Sequence, residues 1–215
     1  RNLEITDETI KQFEENEYIE DAAPLARYPA LVTYKGLTGN VFLQGAEPAY
    51  LRYAGITASA GDVFEEEDIG NGNEVMLSPA VLKLFGIDDP KAFIGQEVNF
   101  RLLIPAEDGS EAITEVIIEK KFIVKGITKE EGVLNALIML PELRNYVGIE
   151  TYERAQVKVV SNEFLDATEE ALIKAGFRVT ALSKTVEQAS KIFQGIQATL
   201  AVFGGIALVV SAIGM

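Results

Sequence analysis

The segment Gln194–Met215, QGIQATLAVFGGIALVVSAIGM, contains no Asp, Glu, Lys or Arg. A helix needs about 20 consecutive, mostly apolar residues to cross a hydrocarbon core of roughly 30 Å. About nine Leu, Ile, Val and Phe residues here, each contributing roughly −0.3 to −0.6 kcal/mol at mid-membrane, give on the order of −4 kcal/mol for insertion. Gly204-Gly205 would cost a soluble helix roughly 1 kcal/mol each relative to Ala, whereas glycine is common in membrane helices. The small-residue pairs Ala201/Gly205 and Ala207/Ser211 would let a second membrane helix approach closely. A fully buried core helix is the competing reading. The segment is expected to be a transmembrane helix or the start of one. Upstream, Ser183 or Thr185 opens a helix with no breaker before Gly195. Run together with the tail it would span about 30 residues, or ~45 Å. Its first ten or so would stand outside the bilayer as a stalk, with Ser183, Thr185, Gln188 and Ile192 as candidate mechanical positions.

All the charge lies before that tail. Of 215 residues, 33 are acidic and 19 basic, for a net charge of −14. The body is thus an acidic region large enough for one large domain or two small ones. A basic face for nucleic acid or an anionic lipid surface is missing. With no cysteine, disulfides and thiolate chemistry are excluded. With no histidine, most zinc sites, any Ser-His-Asp arrangement and the usual neutral-pH base are excluded too. No cofactor is expected. No secretory leader is visible at Arg1, so a body outside the membrane is expected to be delivered by a segment upstream.

Along the chain, Arg1–Tyr18 reads as a helix with Thr6 as N-cap and acidic Asp7 and Glu8 in its first turn. Ile19–Arg27 and Ala30–Lys35 look extended; Gly36–Asn40 is turn material, and Val41–Gly45 resumes as a strand. Glu47–Tyr53 is a short helix. The acidic run Glu65-Glu66-Glu67-Asp68 lacks the alternating ligand order and closing glutamate of an EF-hand loop, so it reads as a solvated loop and as a candidate partner contact. Ser78-Pro79 opens a helix that Gly86 closes. Glu97–Ile104 and Val116–Ile127 are strands joined by an acidic loop, Pro105–Glu111, and Asn135–Leu140 is another strand. Ala155–Val160, a helix Glu163–Ala175 stopped by Gly176, and Phe177–Leu182 form a β-α-β unit.

The ordered series Leu43-Gln44-Gly45-Ala46-Glu47-Pro48-Ala49-Tyr50, Ala60-Gly61-Asp62-Val63-Phe64, Val75-Met76-Leu77-Ser78, Leu84-Phe85-Gly86, Ile94-Gly95-Gln96-Glu97-Val98, Phe122–Ile127 and Leu137–Pro141 resembles the MacB-like periplasmic core domain of ABC-transporter permeases, in the macrolide-exporter and FtsX-like superfamily. The resemblance implies an α+β, two-lobed extracytoplasmic domain followed by a C-terminal stalk and transmembrane helix. One α/β lobe would come from both chain ends (1–50 and 155–182), a β-rich lobe (51–154) would be inserted between them, and 183–215 would hold the stalk and membrane segment. It also implies that the chain does no chemistry itself. An ABC ATPase subunit would bind ATP, since no G-x-x-x-x-G-K-[ST] loop is present. The permease would be a homodimer in the cytoplasmic membrane, and across the family an extracytoplasmic adaptor is a further partner. Two other functional classes compete. One is a membrane-anchored binding or scaffold module without an ATPase; the other is a carboxylate-based hydrolase, which needs two acids ~5–10 Å apart in a cleft.

Overall fold

The computed structural model describes residues 3–106 and 112–181. They divide between two compact units, Glu4–Ser161 and a second that begins at Asn162 and includes Leu3.

In the first unit, helix α1 (Asp7–Glu14) starts where the sequence predicts, because the Thr6 side chain accepts a hydrogen bond from the Thr9 amide. It ends four residues short of Tyr18, and Ile10 and Phe13 supply its buried face. Strand β1 (Ile19–Tyr34) is one continuous strand rather than two extended pieces. It pairs antiparallel with β2 (Leu37–Ala46), with Tyr34 opposite Leu37. The turn is therefore only Lys35-Gly36, with φ of 46° and 83°. Two successive left-handed residues match the twist of a two-residue hairpin, so the predicted longer turn, Gly36–Asn40, is instead mostly strand.

The remaining elements are α2 (Pro48–Ala54), β3 (Ala58–Gly61), β4 (Glu74–Leu77), α3 (Pro79–Leu84), α4 (Pro90–Phe93), β5 (Glu97–Pro105), β6 (Ile113–Thr128), β7 (Asn135–Met139), α5 (Leu140–Arg144) and β8 (Arg154–Val159). Tracing the ladders shows a closed ring. β1 pairs with β2, β2 in parallel with β7, β7 with β4, β4 in parallel with β6, β6 with β5, and β5 back with β1. Six strands thus form a barrel, in which each ring strand has a partner on both edges over part of its length. Two strands overhang it: β8 extends the early half of β1, and β3 pairs with the end of β6.

Alternation decides what fills the ring. Ala30 and Val32 stand opposite Leu102 and Phe100, and Phe100 stands opposite Ile118. All are at most 2% exposed. The Phe100 and Phe122 rings meet edge-on with centroids 5.5 Å apart. Leu43, Ala136 and Leu77 continue the same face across β2, β7 and β4. Short helices meet β2 near its two ends. The α3 residue Leu84 lies against Gly39, and the α5 residues Leu140 and Leu143 lie against Gly45, where a Cβ would come 2.6 Å from Leu143 Cδ2. On the outer face, Leu25, Ala46, Met76, Leu137 and Met139 bury Tyr50 and Leu51 of α2, forming a second small core.

The second unit contains a 3-10 turn, Asn162–Phe164, and helix α6 (Leu165–Lys174). The helix starts two residues later than predicted, after that turn. Phe177–Ala181 forms no strand, so the anticipated β-α-β unit is reduced to β8 and α6. Among the described residues no helix is long and apolar enough to cross a membrane. Gln194–Met215 and the stalk positions Ser183, Thr185, Gln188 and Ile192 lie outside the described residues.

Candidate functional site

The acidic run Glu65–Asp68 folds as a capped turn. Glu66–Asp68 is a 3-10 helix, and Asp68 Oδ2 accepts a hydrogen bond from the Glu65 amide at 2.8 Å. Asp68 turns inward. Its Oδ1 lies 2.6 Å from Lys125 Nζ, which also reaches Glu74 Oε2 at 3.2 Å. Burial raises the Asp68 pKa, but the Glu65 amide and Lys125 outweigh that and hold its carboxyl below the ordinary range. Burial opposes the charge on Lys125 as well, and its two carboxylate partners still raise its pKa. Glu66 pairs with Arg52 at 2.7 Å on the surface. The four acids thus serve different ends: Asp68 fixes the turn, Glu66 pairs with Arg52, and Glu65, Glu66 and Glu67 are all exposed.

The sequence reading did not find two further polar centres. Glu142 of α5 is 8% exposed. Its Oε1 receives Lys120 Nζ at 3.0 Å and the Tyr146 hydroxyl at 2.6 Å, and its Oε2 receives Asn145 Nδ2 at 3.3 Å. Burial and the adjacent carboxylate push the Tyr146 phenol up to about 12. Gly72 packs so closely that a Cβ there would lie 2.1 Å from Glu142 Oε2. At the opposite face of the same helix, Arg144 donates to Asp7 Oδ1 at 2.9 Å and to the Tyr152 hydroxyl, which itself donates to Asp7. Hydrogen bonds from Arg144 and Tyr152 lower the Asp7 pKa. These contacts join α1 to α5, and Ile5 forms a β-bridge with Tyr152 beside them. Sequence separation hid both centres: Asp7 and Tyr152 are far apart along the chain, and nothing local marks Glu142 as buried.

A third feature is the hairpin formed by β5 and β6. β1 pairs with β5 only over Asn99–Leu102, and β4 begins on β6 at Ile123. Leu103–Pro105 and Ile113–Glu115 therefore pair only with each other, as an arm beyond the barrel. Ile113 and Ile117 on its outward face are 60% and 65% exposed.

None of these arrangements juxtaposes a nucleophile with a base, and the paired carboxylates above are held by ion pairs and backbone donors. Among the described residues no group of three or more His, Cys, Asp or Glu is placed to hold a metal ion.

The model of the MacB-like periplasmic core domain matches residues 2–189. The chain belongs to that family. The solved periplasmic region of MacB from Actinobacillus actinomycetemcomitans is similar in fold, with a TM-score of 0.59 and 16% identity; the match covers 89% of this chain and 85% of that one. The extracellular domain of the noncanonic ABC-type transporter YknZ from Gram-positive bacteria is similar too, with a TM-score of 0.57 and 18% identity, over 81% and 86% of the two chains. The chain matches no curated protein. The expected mixed α+β architecture is present as the large mixed sheet, and membership of a periplasmic core domain family places this body on the extracytoplasmic side of a membrane protein.

Proposed function

We propose that the chain is the extracytoplasmic domain of a permease subunit that couples ATP-driven motion of a partner ATPase to export or extraction of a substrate, or to activation of an extracytoplasmic partner. The observation that carries this reading is the family match across residues 2–189. The closed barrel supports it physically. A ring with hydrogen bonds along every seam resists shear, so displacement applied at one point is passed on whole, as transmission through a packed element requires. In this reading the ATPase is a separate subunit or domain, the permease acts as a dimer in the cytoplasmic membrane, and an adaptor is a further partner. The two lobes are 1–50 with 155–182, and 51–154. Ser183, Thr185, Gln188 and Ile192 lie on the stalk that carries the motion, and the exposed acids of the Glu65–Asp68 turn contact a partner.

Purification of the full-length permease from native membranes in mild detergent, followed by mass spectrometry, tests the proposal. A stoichiometric ATPase subunit, or an ATPase domain on the same polypeptide, is the expected result. Its absence across several mild detergents would overturn the proposal and leave a membrane-anchored binding module as the better reading.

A further inference from the structure

The loop between the acidic turn and β4 holds the one Asn-Gly step of the sequence, Asn71-Gly72. The backbone nitrogen after an asparagine can attack the side-chain amide carbon, and glycine, with no Cβ, leaves that nitrogen open to approach. In a folded chain the attack is held back by burial of the asparagine, by hydrogen bonds on its side chain, or by a partner on the glycine N–H, each of which must open first. None of the three is present here. Asn71 is exposed and outside any helix or strand. Among the described residues its side chain makes no hydrogen bond, and the Gly72 N–H donates none, although Glu142 Oε2 stands where a Cβ on Gly72 would be. The loop is pinned on both sides of the step. The Asn71 amide donates to Asp68 O at 2.8 Å, and Asn73 O accepts from the Ile123 amide at 2.7 Å. Lys125 also draws the carboxylates of Asp68 and Glu74 together across it. An extra main-chain atom in this span has to be taken up at Gly72, which faces the buried carboxylate of α5.

We propose that Asn71 is a site of spontaneous deamidation, and that the isoaspartate formed there releases the α5 anchor at Glu142. The Gly72 nitrogen, having given its proton to a solvent base, bonds to Asn71 Cγ. The Cγ–Nδ2 bond breaks, and Nδ2 takes a proton from water and leaves as ammonia. Water then opens the five-membered imide at either carbonyl, which yields aspartate or isoaspartate at position 71. One water is consumed and one ammonia released, with no oxidant or cofactor. Both products add a negative charge. Only isoaspartate brings the side-chain methylene into the main chain, which lengthens the pinned loop and moves Gly72 off Glu142. The test ages the purified full-length protein at mildly alkaline pH beside a peptide spanning Glu66–Met76, with peptide mapping by mass spectrometry and electron-transfer fragmentation to tell the two products apart. Because no local opening is needed, position 71 should convert in the protein at a rate within about tenfold of the peptide's. A slower conversion would overturn the site. The isoaspartate form, separated by chromatography, is then compared with N71D, which carries the charge without the added methylene; Asn71 is exposed, so this variant leaves the core intact. The amides of Asn145 and Tyr146, which donate to Glu142 O and Leu143 O, should exchange hydrogen at least about tenfold faster in the isoaspartate form than in N71D. A smaller difference would overturn the link to Glu142. The inference does not depend on the permease reading, and no ATPase enters these measurements.

Discussion

Replacing Gly72 with Ala tests the buried carboxylate of α5 more sharply than removing the carboxylate itself. Gly72 does not have a positive φ, so its backbone accepts Ala. Alanine also restricts the unfolded chain, a gain of about 0.4–1 kcal/mol. The new Cβ, however, would lie 2.1 Å from Glu142 Oε2 and 2.8 Å from its Cδ. A free glutamate would swing aside. This one is held by Lys120, Tyr146 and Asn145, and hydrogen bonds to a charged group are worth about 1.5–3 kcal/mol each. Lys120 is well exposed and recovers hydration, so we expect roughly one such bond to be lost. The net effect of G72A is then a destabilisation of about 1–2 kcal/mol. In an E142A background the obstacle is gone, and G72A should stabilise by about 0.4–1 kcal/mol. Urea unfolding of the four proteins forms a double-mutant cycle with a coupling of roughly 1.5–3 kcal/mol. Equal effects of G72A in both backgrounds would refute the account of Glu142 as a fixed, buried anchor.

Three other expectations follow from the same geometry. K125M leaves Asp68, 12% exposed, without its cation and should cost about 2 kcal/mol by urea denaturation, less than the 3–5 kcal/mol for a fully buried pair. Asp68 has a lowered pKa in the fold, so its contribution is present above the ordinary value of 3.8 and is lost as the pH falls through the lower folded value. Titrating stability from pH 5 to 2 should therefore show a smaller loss for D68N than for wild type. F122A removes the ring that packs edge-on against Phe100 inside the barrel and should cost about 3–5 kcal/mol in the same assay; a cost below 1 kcal/mol would show that the ring is not packed as described.

Local signals carried the sequence reading a long way. Thr6 caps α1 through its side chain, and the ordered small motifs pointed to the right family. Ser78 marked the start of α3 correctly, for a different reason. Its hydroxyl does not cap the helix; it donates to Val133 O and accepts from the Asn135 amide, tying β4 to β7. The closure of the barrel was not legible. Parallel pairing of Phe42 with Asn135 leaves no mark in either segment, because a buried strand looks the same whichever neighbour it takes. The arm was missed because Val116-Ile117-Ile118 reads as a continuous apolar run, and only the ladder shows that Ile117 faces outward while Ile118 faces in. The acidic turn was misjudged in part: composition distinguishes charged from apolar, but not Asp68 facing Lys125 from Glu67 facing water.

Closure of the ring also sets an order on how the domain can fold. β1 and β2 form a local hairpin that needs only its two-residue turn, and such hairpins form in about 1–10 μs. Among the described residues the free edge of β2 is covered by β7, and that of β1 by β5 and, over its early half, by β8, all far downstream. A chain that emerges from its N-terminus would hold a paired but half-covered ribbon until β7, the last ring strand in sequence, arrives. Non-local pairing of this kind is slow, on the order of milliseconds to seconds. The vulnerable interval in the life of this domain is therefore its assembly rather than its finished state, and faults that delay β7 would surface as aggregation of newly made protein while the mature fold remained sound.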